Sequence, residues 1–77
     1  MDGGNETARF VLCTDNRGWP ASLEVRKLYR VLLDPLAQKR GLLRVIDESG
    51  GDYLYPSGHF VAVELPAATA KLLAGQL

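Results

Sequence analysis

Apolar residues fall in short clusters along this chain, and each cluster is closed by residues that favour turns. Arg9-Phe10-Val11-Leu12-Cys13 is rich in strand formers and is followed by Thr14-Asp15-Asn16-Arg17-Gly18. Asp and Asn bond their own backbone and Gly tolerates positive φ, so the pattern predicts a strand and then a loop. Leu42-Leu43-Arg44-Val45-Ile46-Asp47 reads as a further strand, and Glu48-Ser49-Gly50-Gly51 as a hairpin turn whose two glycines suit positive φ. Asp52-Tyr53-Leu54-Tyr55 is the return strand, stopped by Pro56. Ser57-Gly58-His59 turns the chain again, and Phe60-Val61-Ala62-Val63-Glu64 alternates as a last strand.

Two segments read as helix. Asp34-Pro35-Leu36-Ala37-Gln38-Lys39-Arg40-Gly41 has Asp as N-cap, Pro at the first position, basic residues in the last turn and Gly as terminator. Pro66 to Leu77 holds helix formers, with Leu72, Leu73 and Leu77 apolar and Gly75 weakening the end. That leucine stripe either docks on the domain or offers a self-association face. Residues 22–33 are ambiguous. At helical spacing Leu23, Leu28, Val31 and Leu32 share a face; at strand spacing Val25, Tyr29 and Val31 share one face and Arg26, Leu28 and Arg30 the other. Periodicity alone leaves both open.

The chain has 77 residues, with nine basic residues balancing nine acidic ones for a formal net charge of +0. That allows one small domain with little room for a deep catalytic cleft. Cys13 is the single cysteine, which excludes an intrachain disulfide and a multi-cysteine zinc site and favours a reducing compartment. The start, Met1 to Thr7, is polar and acidic, lacks the basic and apolar regions of a signal peptide, and reads as a disordered tail. No stretch approaches the roughly 20 apolar residues of a membrane span, so the expected location is cytoplasmic. Several short strands with one brief helical turn suggest a small closed β-barrel, and closure would hide the edges of so short a β protein.

The residues also carry a resemblance. Lys27-Leu28-Tyr29-Arg30-Val31, then Arg44-Val45-Ile46-Asp47-Glu48-Ser49-Gly50, then Tyr53-Leu54-Tyr55-Pro56 and Phe60 resemble a pattern in short, uncharacterised bacterial and phage proteins with SH3-like barrels. Tyr55-Pro56-Ser57-Gly58-His59-Phe60-Val61 is also similar to the closing Pro-Ser-Asn-Tyr-Val element of eukaryotic SH3 domains, with one extra residue. The resemblance covers residues 23–65. It implies a mainly β fold: a barrel of about five strands over residues 8–65, after a tail at 1–7 and before a short C-terminal helix at 66–77. It also favours a strand over residues 26–33. Polyproline recognition does not carry over, because the aromatic-rich segment is missing and Trp19 lies in the first loop rather than in a hairpin.

No catalytic constellation is legible, and no cofactor or metal is implied. His59 is the single histidine, has no readable nucleophile partner, and is expected as a surface turn residue. Cys13 ends a buried-looking strand and is expected in or near the core. Asp47, Glu48 and Asp52 bracket the glycine turn without EF-hand spacing, and are expected to cap and solubilise the hairpin. The expected function is therefore a non-enzymatic binding or accessory module contacting a protein partner, with Trp19, Tyr29, Tyr53 and Tyr55 as candidate binding residues. Trp19 is either an exposed contact residue or a lid over one barrel end.

Charge raises the alternative of a nucleic-acid-binding regulator. Between residues 26 and 44 the basic residues Arg26, Lys27, Arg30, Lys39, Arg40 and Arg44 face Asp34 alone, whereas residues 45–65 are purely acidic. Arg26, Lys27, Arg30 and Arg44 are the candidate basic face, with Tyr29 or Trp19 stacking nearby. The plainer reading is that the two sets pair across strands.

Overall fold

In the computed structural model, which describes residues 9–75, the apolar clusters become five antiparallel strands and two helices. Strand β1 is Arg9–Cys13, β2 Leu28–Leu32, β3 Leu42–Ile46, β4 Asp52–Pro56 and β5 Phe60–Val63. Helix α1 is Pro35–Lys39 and α2 is Ala67–Gly75, and Ser57–His59 forms a 3-10 turn between β4 and β5. The sheet runs β4-β3-β2-β1-β5, so the last strand crosses back to pair with the first. Val11 lies opposite Ala62 and Tyr29, Val31 opposite Val45, and Val45 opposite Tyr53. The tail expected at residues 1–7 and Leu77 lie outside the described residues.

The ambiguous segment is a strand, but only from Leu28. Arg26 takes φ 72° and its amide donates to Cys13 O (2.7 Å), while the Cys13 amide donates to Lys27 O (2.9 Å). The chain thus enters β2 through a bulge whose left-handed position holds an arginine where glycine is the usual occupant, at a cost of about 1–2 kcal/mol. Asp34 caps α1 through Oδ1, which accepts from Ala37 N (3.1 Å), and Gly41 at φ 73° turns the chain into β3. Of the two turn glycines in the β3–β4 hairpin, Gly50 takes positive φ (85°) and Gly51 does not.

Alternation decides the faces. Val11, Cys13, Tyr29, Val31, Val45, Tyr55 and Phe60 point inward and, with Leu23 from the first loop, form the core. Leu12, Leu28, Leu32, Ile46 and Val63 lie half-buried on the outer face beside a buried Phe10. The leucine stripe expected on α2 does not form one docked face. Leu72 is 63% exposed, and the helix instead buries Ala70 and half-buries Leu73, three positions apart on one side.

The sheet is not closed, contrary to the barrel expected from the sequence: β4 and β5 are its two edges. It is nevertheless strongly curled. Laid flat, the outer strands of a five-stranded sheet stand roughly 19 Å apart. The 3-10 turn that joins β4 to β5 spans only about 8 Å at about 2 Å per residue. The edges must therefore approach at this end, and the Tyr55 and Phe60 rings, one on each edge strand, meet at 6.2 Å. Short strands and Pro56 at the end of β4 protect the edges that closure would have removed. Among the described residues no helix is long and apolar enough to cross a membrane.

Leu23 is 1% exposed although it sits in a loop, so it fastens residues 14–27 to the core. Leu23→Ala is expected to cost about 3 kcal/mol, read as a lower urea midpoint in equilibrium denaturation followed by circular dichroism.

Candidate functional site

The first loop is held down along its whole length. Asn16 Nδ2 donates to Leu23 O (3.0 Å), and the Trp19 and Leu23 amides donate to Asn16 O (2.9 Å) and Trp19 O (3.0 Å). The Glu48 amide donates to Ser22 O (3.0 Å), which ties the loop to the β3–β4 hairpin. Trp19 is thereby set edge-on against two rings, Tyr55 at 5.3 Å and His59 at 5.2 Å. It is half-buried and packed on the core, so of the two expectations the lid over one end of the sheet is what forms.

His59 is not the bare surface residue expected. Its side chain is 18% exposed, and Nδ1 donates to Asp15 O (2.6 Å). His59 O in turn accepts from Thr14 N (2.9 Å). The imidazole is a strut between the 3-10 turn and the first loop. The Arg17 guanidinium, through a forked contact at 2.7–3.2 Å, holds the Asp15 carboxyl well below the usual carboxylate range. Cys13 is fully buried as expected; burial pushes its thiol up, and Sγ donates to Asp15 O (3.7 Å).

The acidic residues at the hairpin cap it, but in different ways. Asp47 is buried: Oδ1 accepts from Ser49 N (2.9 Å) and Ser49 Oγ (2.5 Å), and Oδ2 from the Tyr55 hydroxyl (2.6 Å). Burial pushes its carboxyl up, yet those donors outweigh it and the net displacement is downward. Glu48 accepts from Lys27 Nζ (2.6 Å) and from the Tyr29 hydroxyl (2.5 Å), and both contacts lower its carboxyl. Asp52 pairs with Arg44 (3.1 Å), whose Nε also donates to the Asp34 cap (2.8 Å).

These contacts revise the sequence-predicted sites. Tyr29 is 4% exposed and points inward; its hydroxyl also accepts from Glu24 N (2.7 Å), so it presents no face to a ligand. The four-residue basic face does not stand as a unit either. Lys27 and Arg44 are taken up by Glu48, Asp34 and Asp52, while Arg26 and Arg30 have no ion pair among the described residues. Pairing therefore accounts for part of the charge split and, of these four candidates, leaves Arg26 and Arg30 over among the described residues.

What comes together is Trp19, Tyr55 and Tyr53. A groove of about 360 Å³ opens between the first loop and the hairpin, with Trp19, Tyr53 and Tyr55 along it and Ser22, Ser49 and Asp47 supplying polar atoms. Tyr53 is 56% exposed. Its ring lies on the turn, where a Cβ at Gly51 would stand 3.2 Å from Cε2, so the small residue there lets the ring lie flat. Among the described residues no group of three or more His, Cys, Asp or Glu side chains is placed to hold a metal ion. The sequence signals missed were the burial of Asp47 and the role of His59. The spacing Asp47-Ser49 and the Trp19-Pro20 pair were the only hints. Comparison with protein families, with curated proteins and with solved structures finds no match to this chain.

The hydrogen bonds and ion pairs of these groups set the pH dependence. Asp34, Asp47 and Glu48 have folded values below their ordinary ones, so their stabilisation is present above about pH 4 and lost as pH falls through the folded values. For Tyr29, burial and the Glu48 hydrogen bond raise the hydroxyl, so its contribution is full below about pH 10 and lost as pH rises. Thermal melts from pH 2 to 11 are expected to show a plateau with losses at both ends, and Tyr29→Phe should lower the plateau and flatten the alkaline limb. Tyr55→Phe, which strips one donor from a buried carboxylate, is expected to cost about 2 kcal/mol in urea denaturation.

Proposed function

We propose that this protein is a non-enzymatic binding module whose partner is another protein, contacted at the groove beside Trp19. The observation that carries the reading is a pair of aromatic side chains of unequal exposure. Tyr53 faces solvent beside the half-buried Trp19, on a loop and hairpin that hydrogen bonds hold in place. Such preset aromatic surface loses little conformational entropy when a partner covers it, and Trp and Tyr dominate the binding energy of protein interfaces. The Ser22 side chain at the groove supplies an oxygen that suits a backbone amide of an extended peptide.

The same proposal treats the domain as a member of the SH3-like class. Support comes from the strand order β4-β3-β2-β1-β5 and from the 3-10 turn between the edge strands. The groove is not read as a polyproline site, since a single loop tryptophan and Tyr53 replace the run of aromatic ridges such a site needs.

Selection of a displayed random-peptide library on the folded protein tests the reading. Enriched peptides are expected to bind with micromolar affinity, and Tyr53→Ala to weaken them at least tenfold, about 1.4 kcal/mol, without changing the melting temperature by more than a degree or two. Peptides that ignore both Tyr53→Ala and Trp19→Ala, or a selection that enriches nothing, would overturn it.

A further inference from the structure

On the outer face of the sheet, away from Trp19, α2 leaves a second and larger groove of about 910 Å³. Its floor is apolar, formed by Phe10, Leu28, Ile46 and Leu73, and Arg26 and Arg30 line it. The one carboxylate exposed there, Glu48, is held by Lys27 at 2.6 Å, so that pair contributes no net charge. Arg26 and Arg30 have no ion pair among the described residues, and the groove carries two uncompensated cations over an apolar surface.

Arg26 adds an independent observation. It is the one residue other than glycine in the left-handed region among the described residues, at a bulge where glycine would sit without strain. Its backbone needs only an N–H to donate to Cys13 O, which glycine supplies equally well. A strained, exposed arginine in place of glycine is accounted for by what its side chain does, and Arg26 lines this groove.

We infer that this groove binds an acidic peptide segment with alternating aliphatic side chains, its carboxylates on Arg26 and Arg30 and its apolar groups on Leu28, Ile46 and Leu73. Charge complementarity selects the occupant: forked guanidinium groups match carboxylates, and the floor is apolar. A nucleic acid fits less well. The Phe10 and Tyr29 rings are buried, 5% and 4% exposed, and give unstacked bases no platform. The site is separate from the Trp19 groove and does not depend on it.

The test is an amide-shift titration of the isotope-labelled full chain. The probes are a capped Leu-Glu-Leu-Glu-Leu-Asp peptide, its Gln/Asn counterpart and a single-stranded oligouridylate. The acidic peptide is expected to move amides in 26–30, 46–50 and 70–73, and to bind at least tenfold more tightly than the neutral one. Arg26→Gly is expected to raise the melting temperature by a few degrees yet weaken the peptide about tenfold; a purely structural arginine would give the first result without the second. Arg30→Gln should weaken it similarly, and Tyr53→Ala should leave it unchanged, so this site can fail independently of the Trp19 groove. Equal binding of the neutral peptide, no shifts at millimolar peptide, or stronger binding of the oligonucleotide would overturn the proposal. So would shifts at the same amides on dilution without peptide, which would assign the groove to a second copy of the chain.

Discussion

Three residues join opposite edges of a five-stranded sheet, and most of the molecule follows from that short connection. A flat sheet cannot satisfy it, so the strands curl until Tyr55 and Phe60 share one core. Curling gives so short a chain an inside, where Val45 and Cys13 are fully buried. It also brings the 3-10 turn beside the first loop, where His59 braces Asp15 and Trp19. The aromatic groove is thus a by-product of sheet curvature rather than a feature of any one strand.

Electrostatics reinforce the same geometry. The acidic hairpin and the basic stretch before it meet in space as Lys27–Glu48 and Arg44–Asp52, and Arg44 extends the link to the cap of α1. Surface pairs of this kind are individually weak. Their arrangement matters more: Lys27–Glu48 ties the entry of β2 to the hairpin, Arg44 links the hairpin to the cap of α1, and the buried Asp47 secures the hairpin from inside through Tyr55. Among the described residues Arg17, Lys27 and Arg44 are spent on such internal fastening, whereas Arg26 and Arg30 are not.

The sequence made the strands and caps legible because they depend on local chemistry. Asp34-Pro35 and Gly41 marked α1, and alternation after Gly58 marked β5, with errors of one or two residues. The β2 segment needed more than periodicity, since Leu23 belongs to the core from a loop and mimics the first turn of a helix. Closure was misjudged because strand count says nothing about whether edges pair; that is decided by strand length and the reach of the last connection. Of the aromatic candidates, Trp19, Tyr53 and Tyr55 converge, whereas Tyr29 was misplaced because strand alternation gives its face but not which face is inside. His59 and Asp47 were underrated for a related reason: their partners, Asp15 O and the Tyr55 hydroxyl, are 44 and 8 residues away.

The position of β1 between β2 and β5 has a consequence in time. Phe10 meets Val63 across 53 positions, so one edge of the first strand stays bare until the last strand has been made. Such non-local pairing slows folding and leaves an aggregation-prone edge open during synthesis. Local hairpins such as β3–β4 can form early, but the core closes only when residues 60–63 arrive. A ribosome-bound chain short of that point would hold four of its strands and still lack a stable inside.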